Sequence, residues 1–395
     1  MKILLLNMWH IINAQGGAEK VFCDMANALS DRGHSVIALV LENKIGRPFF
    51  NLNTSVKFKN VGIGFSEKLS FLEKIRRTFY TNKSDRHLFV ENLIDKRKAE
   101  RIRCVLSDES PDIIISFSVD ASRVLFKAVG NNFPVITMCH SVPGHYLNGC
   151  SVKTLEAVNN SDCFQVLMPS FIEDVRKYIN HNNVIYIPNS VCPPVIQHCV
   201  NVMNKRKVVI SIGRIARVAK RQHLLIEAFN KIHHRYSEWQ IELYGEIVDK
   251  EYFRYCENLI KNYNLSSKVR YLGVTDKIYE VLQEVSIFAF PSSFEGFGLA
   301  LAEAMSAGLP CIGFKSCSAV NELIKDGSNG ILCDDTIEDF ARGLAELMDD
   351  EEKRNRYGQQ AKEDMKQYAP EKIWNEWEEL INKTVYDYKM KLDKH

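Results

Sequence analysis

Two glutamates eight positions apart, Glu295 and Glu303, flank a nearly bare stretch of backbone in "FEGFGLALAEAMSAGLP", residues 294–310. A carboxylate among Ala, Leu, Met and Gly is costly unless something compensates it. The preceding "SIFAFPSS" reads as a buried strand and a polar loop, and the stretch itself as a small-residue helix ended by Gly308. The amides of Phe297, Gly298 and Leu299 are then the open donors of a helix N-terminus, which attracts anions. Gly296 and Gly298 allow a ligand to approach the backbone closely. Glu303 lies four residues past Leu299 and shares a face with the first turn. A bound diphosphate would repel it, so neutral donors are the better partners, and the adjacent hydroxyls of a ribose fit. Glu295 would face the other end of the same ligand. The pair suits a sugar at each end of a diphosphate: a nucleotide sugar.

A second element supplies the missing charge. "SIGRIARVAK" follows a strand and places Arg214 and Lys220 in a strand-to-helix loop. Cations there could hold the diphosphate, each charge-assisted bond contributing roughly 1.5–3 kcal/mol. Either element alone reads as an ordinary solvated surface. Together, at two strand ends, they read as one binding site, because open α/β sheets bind ligands beyond the carboxyl ends of their strands.

The elements that must position these residues are legible along the whole chain. Its 395 residues, 46% hydrophobic and 25% charged with net charge +2, describe a globular protein of two or three domains. That balance gives no argument for nucleic acid. Eleven scattered cysteines without a C-x-x-C read as reduced thiols in a cytoplasmic chain. "MKILLLNMWH" starts like a signal peptide, but its apolar run stops at Asn7, too short for one. No run near 18 apolar residues suggests a membrane span.

"KILLLNMW", the loop "HIINAQGG", a helix from about Ala18 to Ser30 and "SVIALVL" make a strand–loop–helix–strand unit, the building block of parallel sheets. The pattern restarts at "VVISIG". We therefore expect a Rossmann-like domain over 1–190, a linker over 191–206, a second Rossmann-like domain over 207–369 and a terminal helix over 370–395. That helix has Ile373, Trp374, Trp377, Leu380 and Ile381 at helical spacing behind Pro370.

At this point the chain resembles a known family. "FEGFGLALAEAMSAGLP" matches the E-x7-E signature of the retaining family 4 glycosyltransferases of the GT-B fold, the glycosyl transferases group 1. The likeness takes in "QGGAEKV", "LSDRGHSV", "IPNSV", "SIGRIARVAK" and "NELIKDGSNGILC". It implies an α/β protein whose two parallel sheets face each other across an interdomain cleft holding the donor, with the last helix crossing back to the first domain. It implies that Glu303 holds the ribose and that Glu295 meets sugar hydroxyls. It implies that amides near Phe297 to Leu299, beside Gly296, would contact sugar and phosphate, and that Arg214 and Lys220 would neutralise the departing diphosphate. Gly16 and Gly17 let the first-half loop close over the phosphates. His140, after "FPVITMC", lies against the donor sugar, with His145 as its rival. Arg214 and Lys220 stand six apart where five is usual, so Arg217 or Arg221 could share their role.

The implied reaction is metal-independent, retaining transfer of a hexosyl or N-acetylhexosaminyl group from a nucleoside diphosphate, expected to be UDP, with no cofactor. The departing phosphate helps deprotonate the acceptor. That acceptor is expected to be a lipid-linked glycan in cell-surface polysaccharide synthesis at the inner face of the cytoplasmic membrane. No D-x-D, the metal signature of the other major glycosyltransferase fold, is present. A nucleotide-sugar epimerase of the same fold and a non-catalytic nucleotide-sugar-binding regulator are the alternatives. "VGIGFS" lacks a third glycine and is not a dinucleotide site. Asp334–Asp335 and Asp349–Asp350 read as solvated pairs. Residues 67–103 carry eleven Lys/Arg against six Asp/Glu. Their helical face is either simply solvated or rests on anionic lipid, since Phe71, Leu72, Ile75 and Phe79 form an apolar stripe beside Lys74, Arg76 and Arg77.

Overall fold

The computed structural model describes residues 1–65, 68–193 and 205–393. Most of the expected linker, 194–204, lies outside the described residues. The chain forms two compact units: Met1–Ile187 with Trp374–His395, and Pro188–Ile373.

The first unit holds seven strands: β1 Lys2–Asn7, β2 Ser35–Val40, β3 Lys57–Asn60, β4 Ile113–Ser116, β5 Val135–Met138, β6 Cys163–Val166 and β7 Val184–Tyr186. They lie in the order β3-β2-β1-β4-β5-β6-β7, every pair parallel. Ile3 to Leu6, Ile113 to Ile115 and Val36 to Val40 are fully buried. Strands covered by helices on both faces read as continuous apolar runs, which is why these were visible in the sequence. The helix Gly17–Asp31 buries Val21, Phe22, Met25 and Leu29 and ends where Gly33 turns the chain at φ +84°.

The second unit holds β8 Arg206–Ile212, β9 Gln240–Tyr244, β10 Val269–Gly273, β11 Val285–Phe290, β12 Cys311–Phe314 and β13 Gly330–Cys333. Their order is β10-β9-β8-β11-β12-β13, again all parallel. Both sheets thus start in the middle, build outward to one edge, then return and build to the other. Between β1 and β4, and between β8 and β11, neighbouring crossovers leave in opposite directions and open a crevice at the strands' carboxyl ends.

The terminal helix runs Pro370–Leu392. Ile373, Trp374, Trp377, Leu380 and Ile381 are all buried, as their spacing predicts. From Trp374 on it belongs to the first unit. There Glu378 meets His34 at 3.0 Å, the Tyr388 hydroxyl donates to the Asn131 carbonyl and Lys391 pairs with Asp162 at 3.0 Å.

Candidate active site

In the second unit the loop after β8 is held from both sides. Ile215 donates to the Glu246 carbonyl at 2.8 Å, and Asp249 donates back to Ile215. From the β11 side, the Ser293 amide donates to Ala219 at 2.9 Å and its hydroxyl to Val218 at 2.6 Å. Arg221, at φ +47°, fastens the end of the loop. Its guanidinium donates to the Pro291 and Ser292 carbonyls, makes a bidentate pair with Asp335 at 2.9 and 3.0 Å, and lies over Phe314. Arg221 is therefore a structural clamp between β11 and Asp335. Asp335 is no mere solvated acid; it is the clamp's other half. Arg217 lies over the rings of Tyr252 and Tyr255.

That leaves Arg214 and Lys220. The Lys220 ammonium, half-buried over the Phe290 ring, donates to Glu295 from the loop after β11. The structure thus joins the two motifs across the crevice between β8 and β11. Arg214 is exposed on the same loop, and its guanidinium has no partner among the described residues. Its carbonyl accepts from the buried side-chain amide of Gln222 at 3.0 Å.

The E-x7-E helix is Leu299–Ser306. Gly298 caps it at φ +79°, ψ +50°, a left-handed conformation that suits glycine. No side chain caps this end, and the first helical bond runs from Ala302 to Gly298. The Leu299, Ala300 and Leu301 amides are therefore open donors. The Phe297 side chain is buried against Tyr368, ring centres 5.4 Å apart, so only its backbone can serve a ligand. Glu303 is buried on this helix and accepts from the Tyr279 hydroxyl at 3.1 Å. No motif announced Tyr279; it follows β10 in the apolar run "KIYEVLQEV" and shows no periodic anomaly.

In the first unit the loop after β1 is tied down by Glu42, a buried carboxylate just past β2. It accepts from the Ile11 and Ile12 amides. Sequence reading missed this residue, although an acid ending an apolar strand beside a glycine loop is a readable signal. The loop leads to Gly16, which caps the helix beginning at Gly17 without any side-chain bond. His140 follows β5. Its ring stacks on Phe117, centres 5.2 Å apart, and meets Trp9 edge-on at 6.0 Å. Its Nε2 is buried without a partner among the described residues. Burial pushes its pKa down to about 4, so the imidazole is neutral at physiological pH. His145 is exposed on the short helix Pro143–Leu147.

Two all-parallel sheets of one strand order, with a cationic loop and an open helix N-terminus at a switch point, define the GT-B class of glycosyltransferases. Residues 198–364 match the family Glycosyl transferases group 1. It is 24% identical to an uncharacterized glycosyltransferase of Haemophilus influenzae, over 94% of this chain and 97% of that protein. It is 25% identical to the amylovoran biosynthesis glycosyltransferase AmsD of Erwinia amylovora, over the same shares. Three further curated relatives are longer or match in part; the chain spans 36%, 41% and 48% of their lengths. The crystal structure of Anabaena HepE in complex with UDP and glucose superposes with a TM-score of 0.72 at 17% identity, covering 97% of this chain and 100% of that one. A likeness at that identity speaks to the fold.

Proposed function

We propose that this glycosyltransferase moves a hexosyl or N-acetylhexosaminyl group from a UDP-sugar to a hydroxyl of a glycan, with the anomeric configuration retained. The observation that carries the reading is the Lys220–Glu295 pair, which joins the loops after β8 and β11 beside the exposed Arg214. UDP is favoured because HepE, of the same fold, holds UDP and glucose. Polysaccharide synthesis is favoured by the relative named for amylovoran, and a lipid-linked glycan is the acceptor we favour.

In this reading Arg214, Lys220 and the amides of Leu299 and Ala300 receive the diphosphate. The bond from the anomeric carbon to the phosphate oxygen breaks as the acceptor oxygen attacks the same face. The acceptor proton passes to the departing phosphate. Negative charge grows on that phosphate in the transition state, so cations fixed beforehand stabilise the transition state more than the ground state. Glu303 accepts from the ribose hydroxyls and Glu295 from sugar hydroxyls. His140, neutral and with an unpartnered Nε2, offers a hydrogen bond to the sugar. The two cations supply the charge that a metal would, and we propose a metal-independent reaction. A cytoplasmic setting is favoured by the ten described cysteines, all free thiols and seven of them buried. No described helix is long and apolar enough to cross a membrane.

The test is a hydrolysis screen of the purified enzyme against UDP-, GDP- and ADP-sugars, with the anomer released followed by NMR. Slow release from a UDP-sugar, with the configuration kept and insensitive to EDTA, is expected. Conversion of the donor to an epimer, or binding without release, would replace this reading.

A further inference from the structure

Away from the site, one short helix stands almost wholly outside the protein. Phe71–Thr78 follows Ser70, whose hydroxyl accepts from the Glu73 amide while the Glu73 carboxylate accepts from the Ser70 amide. None of its residues is buried. An isolated helix of this length does not persist in water, so its shape depends on these caps and on whatever it rests against. It rests through Glu73, which pairs with Arg97 on the helix Lys83–Glu109.

At 100° per residue, Phe71, Ile75, Phe79 and Leu72 fall within one arc of about 100°. Phe71 is 77% exposed, Leu72 68%, Ile75 42% and Phe79 79%. Scattered single apolar residues on a surface are ordinary, but four adjacent large ones mark a surface that something covers. Arg76 flanks the arc on one side, Thr78 and then Lys74 on the other, while Arg77 lies opposite it, next to Glu73. The three cations are exposed and have no acidic partner among the described residues. The helix's only acid, Glu73, is turned away and neutralised. The outward face therefore carries apolar and cationic side chains and no acid, and the Thr78 hydroxyl at its edge donates to the Ile75 carbonyl.

We propose that this helix, with Phe79 after it, lies in the surface of an anionic lipid bilayer. The apolar arc enters the acyl boundary, while Lys74 and Arg76 reach the phosphates alongside. Charge decides the occupant. An apolar stripe alone would suit a protein partner, whereas one bordered by cations on both sides matches an interface whose centre is apolar and whose rim is anionic. The proposal goes beyond the transfer reaction and does not depend on it.

Flotation of the full chain with vesicles tests it, using phosphatidylcholine alone or mixed with phosphatidylglycerol. The protein should float with the mixed vesicles and stay behind with the neutral ones. Lys74→Gln and Arg76→Gln together should weaken binding about thirtyfold, from two surface charges removed. Phe71→Ser with Phe79→Ser should abolish most of the remainder. These side chains are exposed, so the variants should melt like the parent. No flotation, equal flotation on both vesicles, or binding unchanged in either variant overturns the proposal. So does a self-associating chain whose dimer the Phe71→Ser, Phe79→Ser variant dissolves, since a second copy would then cover the stripe. No readout needs donor or turnover, so failure here leaves the proposed reaction untouched.

Discussion

The Lys220 ammonium donates to the Glu295 carboxylate across seventy-five residues of sequence, and that bond ties together two loops at the carboxyl ends of neighbouring strands. With a nucleotide sugar present, Lys220 would turn to a diphosphate oxygen and Glu295 to sugar hydroxyls. The pair thus spares either charge from being buried alone.

Lys220→Met and Arg214→Ala should each lower the rate of donor hydrolysis about a hundredfold or more, because each removes a cation facing developing charge. Steady-state kinetics with a UDP-sugar checks this. The loss should fall mainly on kcat; a change confined to KM would assign these side chains to ground-state binding.

Tyr279→Phe removes the hydroxyl that donates to Glu303. The carboxylate should then be less well oriented toward a ribose, and UDP should bind several-fold more weakly, with Glu303→Ala weaker still by about tenfold. Calorimetry with UDP separates this from any effect on turnover. An unaltered affinity in both variants would remove the ribose contact.

His140 makes stability fall in acid. Its pKa in the native protein is about 4, against about 6.5 when exposed. Above pH 6.5 both states are neutral and the contribution is complete. Between 6.5 and 4 the unfolded chain takes up a proton that the native one refuses, so up to about 3 kcal/mol is lost through that window. His223 is shifted the same way by burial, then by Arg217, so the measurement is a comparison. Urea unfolding of His140→Phe should show a shallower pH slope than the parent over that range.

Gly298→Ala tests the helix mouth. An added Cβ would have Phe290 as its nearest neighbour at 3.6 Å, an ordinary contact, so the cost is conformational. A left-handed alanine costs about 1–2 kcal/mol. Thermal unfolding should show a small drop, and hydrolysis a larger one if the Leu299 amide shifts away from the phosphate.

What could be read from the sequence follows from what each residue's pattern encodes. Ile3 to Leu6 and Ile287 to Phe290 sit between helices and are apolar without a break, so both sheets were legible. Glu295, Glu303, Arg214 and Lys220 stood out because charge beside glycine at a strand end has few structural uses. Partnerships were not legible. That Asp335 grips Arg221, and that Glu42 collects two amides of a loop thirty residues earlier, depends on which strands become neighbours. Only the fold supplies that. The basic stretch likewise read as one surface, whereas it divides: Ala99, Ile102, Val105 and Leu106 anchor one helix in the core while the shorter one stands free.

The repeated strand order has a last implication. Chain geometry repeats, but the linings differ: beside their open helix mouths, one crevice is edged with an arginine and a lysine, the other with a neutral imidazole packed among aromatic rings. Symmetry of scaffold therefore brings no redundancy of chemistry. A lesion at Arg214 has no cation of matching place among the described residues of the first-unit crevice to stand in for it.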